Sequence, residues 1–248
     1  MHRSTDLSRR RRSRLPSADL QRSTSKEFSL PKPAFPLSVV LFLLLTVSVL
    51  AQVRTFRTTP QDDQNVVQFV SEATLERIVG RTHDIQGSVD LNMADVAATT
   101  KGTFAVDLRT IDTGINLRNQ HMRENHLETD KYPEATFTLH RILSANRTEL
   151  LPGEAVSVVA EGDFNIHGVA KVYQIPLTLT YIPASSSPEP GQRLHGGTGD
   201  LVNVTAEWSV KLADHAINRP EFLFMRLAEE QKVSVTFVLT DLPPTRKE

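Results

Sequence analysis

The chain has 248 residues, with 28 Lys/Arg against 29 Asp/Glu for a net charge of -1, and no cysteine. That length suits one large domain or two small ones with a sizeable core, and the lack of cysteine excludes disulfides, thiolate metal ligands and a cysteine nucleophile. Residues 1–52 carry nine basic and three acidic side chains, leaving nineteen basic and twenty-six acidic for the rest; an acidic body without a Lys/Arg run does not track phosphates, so nucleic acid is not an expected partner.

The first element is an address. Residues 1–34 form a basic, disordered segment that includes "SRRRRSRLPS" (8–17). It precedes "FPLSVVLFLLLTVSVLA" (35–51), which has no charge and is rich in Leu and Val. A basic flank followed by an apolar run and small residues is the plan of a secretory signal, with cleavage after Ala51. The same run as an uncleaved anchor would span roughly 26 Å, near the lower limit for a bilayer, with its basic flank in the cytoplasm. Both readings of 35–52 place the body outside the cytoplasm, periplasmic or otherwise extracytoplasmic. Residues 53–64 read as a polar linker and 243–248 as a tail.

From residue 65 the dominant period is two, the signature of half-buried strands. Eight segments carry it in turn: "NVVQFV" (65–70), "IQGSVDL" (85–91), "GTFAVDLRTI" (102–111), "ATFTLHRI" (135–142), "AVSVVAEGDFNIHG" (155–168), "VYQIPLTLTY" (172–181), "LVNVTAEWSVKL" (201–212) and "KVSVTFVLT" (232–240). Phe104, Phe137, Phe164, Tyr173, Leu177, Leu179 and Trp208 all fall on inward positions. One apolar face per strand and short connections call for an antiparallel barrel or sandwich. A barrel of about eight strands is filled by side chains or holds one small ligand. Small inward residues, namely Gly87, Ala160, Gly162 and Ala206, hint at space inside; glycines at bends are the plainer explanation.

Two connections are long: 112–133 and the Ser/Pro/Gly-rich 183–200. The first contains "RNQHMRENHLETDKYP" (118–133), dense in titratable groups. His121 and His126 lie five apart, which turns their rings roughly 140° away from each other on a helix and to opposite sides of a strand. A metal-dependent enzyme would need His167 or another residue to complete the set with His121 and His126. No G-x-S-x-G elbow or phosphate-binding glycine loop is present. No catalytic residue, metal or cofactor is expected; a polar lid with Ile115, Leu117, Met122 and Leu127 turned inward is the alternative. Tyr132-Pro133 would end such a lid, because the residue before proline is pushed to extended geometry.

Three ordered motifs resemble the YceI-like family, lipocalin-like proteins described as polyisoprenoid-binding. They are "VDLRTIDTGINLRNQHMRENHLETDKYPEATF" (106–137), "EGDFNIHGVAKVYQIPLTLTY" (161–181) and "INRPEFLF" (217–224). The opening "VVQFVSEATLERIVGRTHDIQGSVDL" is also similar to that family's first hairpin. The resemblance implies a closed, eight-stranded antiparallel barrel over residues 65–242 with a tunnel for a long-chain isoprenoid or fatty lipid, and no conserved catalytic centre. It suggests homodimers, with membrane contact through an uncleaved leader. The seven inward residues above would line the tunnel, and Arg118, His121 and Met122 would hold the lid or meet a polar head. The expectation is a lipid-binding module; the competing ones are the histidine-centred enzyme and a filled-barrel envelope stress or interaction module.

Overall fold

The computed structural model describes residues 53–58, 63–72, 76–99, 101–186, 199–219, 221–222 and 225–242. The leader, its Ala51 cleavage position and the 243–248 tail lie outside the described residues. The strands are β1 (Val53–Thr58), β2 (Val66–Glu72), β3 (Arg77–Thr82), β4 (Ile85–Asn92), β5 (Lys101–Asp107), β6 (Glu134–Ala145), β7 (Ala155–Ile166), β8 (Val169–Ile182), β9 (Leu201–Lys211), β10 (Glu221–Phe222), β11 (Met225–Arg226) and β12 (Glu230–Thr240). They pair in the order β1-β4-β5-β6-β7-β8-β9-β12, and β12 returns to β1 through Arg57↔Thr240 and Thr58↔Leu239. The result is a closed antiparallel barrel of eight strands.

The remaining hairpin extends one stretch of the wall. β2 pairs with β12 from Val66↔Thr236 to Val70↔Lys232, so β1 and β2 lie end to end along the same neighbour. Asn65, fully buried, sits in the break and its Oδ1 accepts from the Val238 amide at 3.0 Å. That bond replaces a ladder bond which the interrupted strand cannot supply.

Residues 53–58, read as linker from sequence, are the closing strand. "VRTFRT" has a single large apolar residue and so no visible period; yet Phe56 is fully buried and Thr58 nearly so. β3 is likewise missing from the eight periodic segments, because its inward positions are Ile78, Gly80 and Thr82. The inward glycines do not leave open space either. A Cβ on Gly87 would fall 2.4 Å from Phe104 Cδ1, one on Gly162 2.7 Å from Phe137 Cζ, and one on Gly80 2.1 Å from Phe69 Cε1. Each glycine is a notch that an aromatic ring from a neighbouring strand already fills.

The two ends of the barrel differ. At one, the β5–β6 connection forms a short helix, α1 (Asn116–His121), that continues into one π-helical turn, Met122–His126. The β7–β8 hairpin at the same end turns on His167 and Gly168, both at positive φ, as a two-residue turn of the primed type requires. At the other end two connections fold over the opening. Val96 donates to the Thr148 carbonyl at 2.9 Å and Leu150 to that of Met93 at 2.9 Å, with both side chains buried.

The closing seam is clamped beside that covered end. Arg54 of β1 donates to Asp200 at 2.7 Å and to the Asp241 carboxylate, and the Tyr181 hydroxyl donates to Asp200 at 2.5 Å. Burial pushes the Asp200 carboxyl up, but the Ala184 amide, Tyr181 and Arg54 outweigh it and hold the group below the usual carboxylate range. Burial likewise opposes the Arg54 charge, and its bonds to Asp200, Asp241 and Tyr181 more than restore it.

Candidate functional site

Register places the inward residues in belts. One belt runs Val158↔Leu177↔Ala206↔Val235↔Val67 across β7, β8, β9, β12 and β2. The next, toward α1, runs Trp208↔Val233↔Phe69↔Gly80. A third joins Gly87, Phe104 and Phe137 across β4, β5 and β6. Ala206 is the small member of the first belt, and Ala160, paired with Ile142 and Ile175, is another small residue of the lining. Together the belts enclose an apolar cavity of about 220 Å³.

A second apolar space of about 670 Å³, the mouth, adjoins it at the α1 end. Six residues line both: Phe69, Leu108, Ile111, Phe164, Ile166 and Val233. They form the collar between the two spaces. Phe164 is held there edge-on by Tyr173, Trp208 and His215, with ring centroids 5.4, 5.9 and 5.5 Å away. Ile115 and Leu117 stand on the rim of the mouth, 51% and 61% exposed.

Of the seven residues expected to line a tunnel, Phe104, Phe137, Phe164, Leu177, Leu179 and Trp208 line the inner cavity. Tyr173 does not. Its hydroxyl meets Nε2 of His215 at 3.0 Å, and His215 Nδ1 faces the Val169 carbonyl at 2.9 Å. The ring nitrogen facing a carbonyl carries a proton, and in the neutral imidazole Nε2 is then the acceptor and Tyr173 the donor. Burial, with Asp214 nearby, raises the Tyr173 phenol above its ordinary range. Tyr173 is therefore a strut that positions His215 behind Phe164. Phe69, Val67 and Phe237 line the cavity without having been singled out from sequence; the alternation of Val67 and Phe69 in "NVVQFV" carried the signal.

Arg118, His121 and Met122 all line the mouth. The Arg118 guanidinium is engaged by protein: Nε and Nη2 donate to Thr113 at 2.9 and 2.7 Å, and Nη1 to Glu76. Asn119 accepts from the Thr113 amide at 2.8 Å and donates to Asp112 at 2.6 Å. These bonds fasten α1 to the loop before it and to the start of β3. His126 Nδ1 approaches the Asn218 carbonyl at 3.0 Å, which fastens the π-helical turn to the segment after β9.

The three histidines of the enzyme alternative do not converge. His126 and His167 each turn Nδ1 to a carbonyl, of Asn218 and His215, while His121 stands exposed at the mouth. Among the described residues no three His, Asp or Glu side chains are grouped to hold a metal ion. No described helix is long and apolar enough to cross a membrane.

Comparison with known proteins agrees with this architecture. The chain is similar in fold to Burkholderia cenocepacia BcnA, at 18% identity and a TM-score of 0.53 over 70% of this chain and 95% of that one. It is similar to a polyisoprenoid-binding domain from Saccharophagus degradans implicated in plant cell wall breakdown, at 18% identity and a TM-score of 0.52 over 76% and 98%. A variant of the Campylobacter jejuni YceI protein aligns at 14% identity and a TM-score of 0.50 over 66% and 85%. No curated protein matches the chain. The YceI-like domain family matches residues 59–240, well over half of the chain, and the protein belongs to that family.

Proposed function

We propose that this protein is an exported or membrane-tethered module that binds one long-chain apolar molecule, a polyisoprenoid or fatty-acid-like lipid, and performs no catalysis. The carrying observation is the pair of adjoining apolar spaces, about 220 Å³ inside the barrel and about 670 Å³ at its mouth. A similar fold described as polyisoprenoid-binding supports the choice of ligand, and the basic-then-apolar leader supports export or tethering.

The energetics ask for a long chain. Burying a methylene contributes about 0.8 kcal/mol, so ten carbons give roughly 8 kcal/mol gross, before the costs of association and ordering. The inner cavity alone is too small for a tight ligand, and the mouth must hold the remainder. Organic extraction of the natively purified protein, followed by mass spectrometry, tests the reading. A stoichiometric long-chain lipid is the expected outcome; clean extracts together with no uptake of added polyprenol would refute it.

A further inference from the structure

We propose that the barrel wall carries a side gate. Between residues 169–176 of β8 and 207–211 of β9 the wall is a slot plugged by side chains, and this slot parts to pass the ligand laterally. The inference rests on the lipid-binding reading and adds the route by which that ligand exchanges.

Three observations carry it. First, the two strands continue past their common ladder without pairing. β8 pairs with β9 only from Leu177↔Ala206 to Ile182↔Leu201. Both strands run on toward the α1 end, but each is laddered there only to its other neighbour, β8 to β7 and β9 to β12. Among the described residues no backbone hydrogen bond joins the two continuations. The unpaired part of β8 begins at Pro176, which has no N–H to give a neighbouring strand.

Second, side chains fill the slot. His215, from the turn Leu212–His215 that follows β9, is fully buried. It bonds to β8 through the Val169 carbonyl and the Tyr173 hydroxyl, and its own carbonyl faces Nδ1 of His167 at 3.1 Å. Its ring stacks on Tyr173 with centroids 5.8 Å apart and meets Phe164 edge-on. The turn ends on Ala216 at φ 54, a left-handed conformation that strains an alanine. Withdrawing this wedge breaks three side-chain bonds and no ladder, and it relieves that strain. Parting β7 from β8, or β9 from β12, would break a ladder along the whole strand.

Third, the slot borders the interior. Ile175 on β8 and Trp208 on β9 line the inner cavity, and Val210 and Leu212 line the mouth. A ligand entering through the slot reaches both spaces without its whole length being threaded past the collar. Openings of this kind are drawn from the least stable segments of a fold, and an unpaired stretch of wall is one.

The chain has no cysteine, so engineered thiol pairs test the proposal cleanly. Gln174→Cys with Ser209→Cys puts two thiols at exposed positions on opposite sides of the slot. Thr178→Cys with Thr205→Cys puts them on direct partners in the ladder, as a control. Each pair is bridged with a bis-methanethiosulfonate linker and released with dithiothreitol, and uptake and release of a brominated fatty acid are followed by stopped-flow quenching of Trp208. Bridging the slot should slow both rates by about ten-fold or more and leave Kd unchanged, since a barrier shared by both directions does not alter an equilibrium. The reductant should restore the rates, and the control bridge should change neither. Tyr173→Phe, which loosens the wedge, should raise both rates and keeps the test valid if the thiol pair across the slot does not fold. Rates unmoved by the slot bridge and by Tyr173→Phe, or equal slowing by both bridges, overturn the gate and leave the lipid-binding reading standing. Failure of the unmodified chain to bind the fatty acid overturns that reading, and the gate with it.

Discussion

Gly87 and Phe104 are direct partners across β4 and β5, and the ring lies where a Gly87 side chain would be. The crowding has two sources: Phe104 Cδ1 and the Thr103 carbonyl oxygen each lie 2.4 Å from the Cβ position. Gly80 differs, because the three nearest atoms there all belong to the Phe69 ring, which can move. Gly87→Ala and Gly80→Ala should each destabilise the barrel by about 2 kcal/mol, the cost of overpacking. Phe69→Leu should recover most of the Gly80→Ala loss, whereas Phe104→Leu should not recover that of Gly87→Ala, since the backbone oxygen remains. Urea midpoints for the two double-mutant cycles measure the difference.

The seam between β1 and β12 is paired at only two positions, and Arg54 reinforces it from outside the ladder. Arg54→Gln leaves Asp200 and Asp241 facing each other without the cation. We expect a loss of about 2 kcal/mol, typical for breaking partly buried charge-assisted hydrogen bonds. Hydrogen exchange should locate the loss: the amides of Phe56 and Arg57 should lose protection before those of β7 and β8.

Acid should attack the same clamp. The folded-state pKa of Asp200 is depressed, so its contribution is present above the unfolded carboxylate value and is lost as pH falls through the lower folded value. Thermal midpoints recorded from about pH 5 to about pH 2 should fall more steeply for the native chain than for Asp200→Asn. Equal slopes would show that the clamp does not titrate with folding.

Tyr173→Phe removes the hydroxyl bonded to His215 Nε2, on a fully buried ring. An orphaned buried acceptor costs about 1–3 kcal/mol, read directly from urea unfolding. The native phenol has a raised pKa in the fold, so its contribution is complete below the ordinary tyrosine value near 10 and declines as pH rises past it. The alkaline decline should be weaker in Tyr173→Phe.

How legible each part was depends on what carried it. β7, β8, β9 and β12 have long uninterrupted alternation and can be read directly from sequence, as can the inward placement of Leu177 and Trp208. β1 and β3 could not be read that way: their inward residues are Phe56, Thr58, Gly80 and Thr82, and only their neighbours' register makes those positions interior. Tyr173 shares the parity of Leu177 but sits near the hairpin, where His215 from after β9 meets its hydroxyl; a contact 42 residues away leaves no trace in local pattern. The 112–133 connection was legible as polar, but of the apolar members expected to turn inward, Ile115 and Leu117 stand exposed on the rim and Met122 and Leu127 are only half-buried. That Arg118 is consumed in holding α1 to Thr113 and Glu76 required the fold.

Trp208 is the chain's single tryptophan and lines the inner cavity, so quenching of its emission reports a ligand beside it in the interior. The most direct test of the lipid-binding account is therefore titration with a fatty acid carrying bromine in mid-chain, followed by competition with an unlabelled polyprenol. The account predicts saturable quenching at one ligand per barrel, reversed by the polyprenol, and abolished in Ala206→Phe, where a ring occupies the cavity wall next to Trp208. Quenching that never saturates, or that survives unchanged in a folded Ala206→Phe, would contradict it.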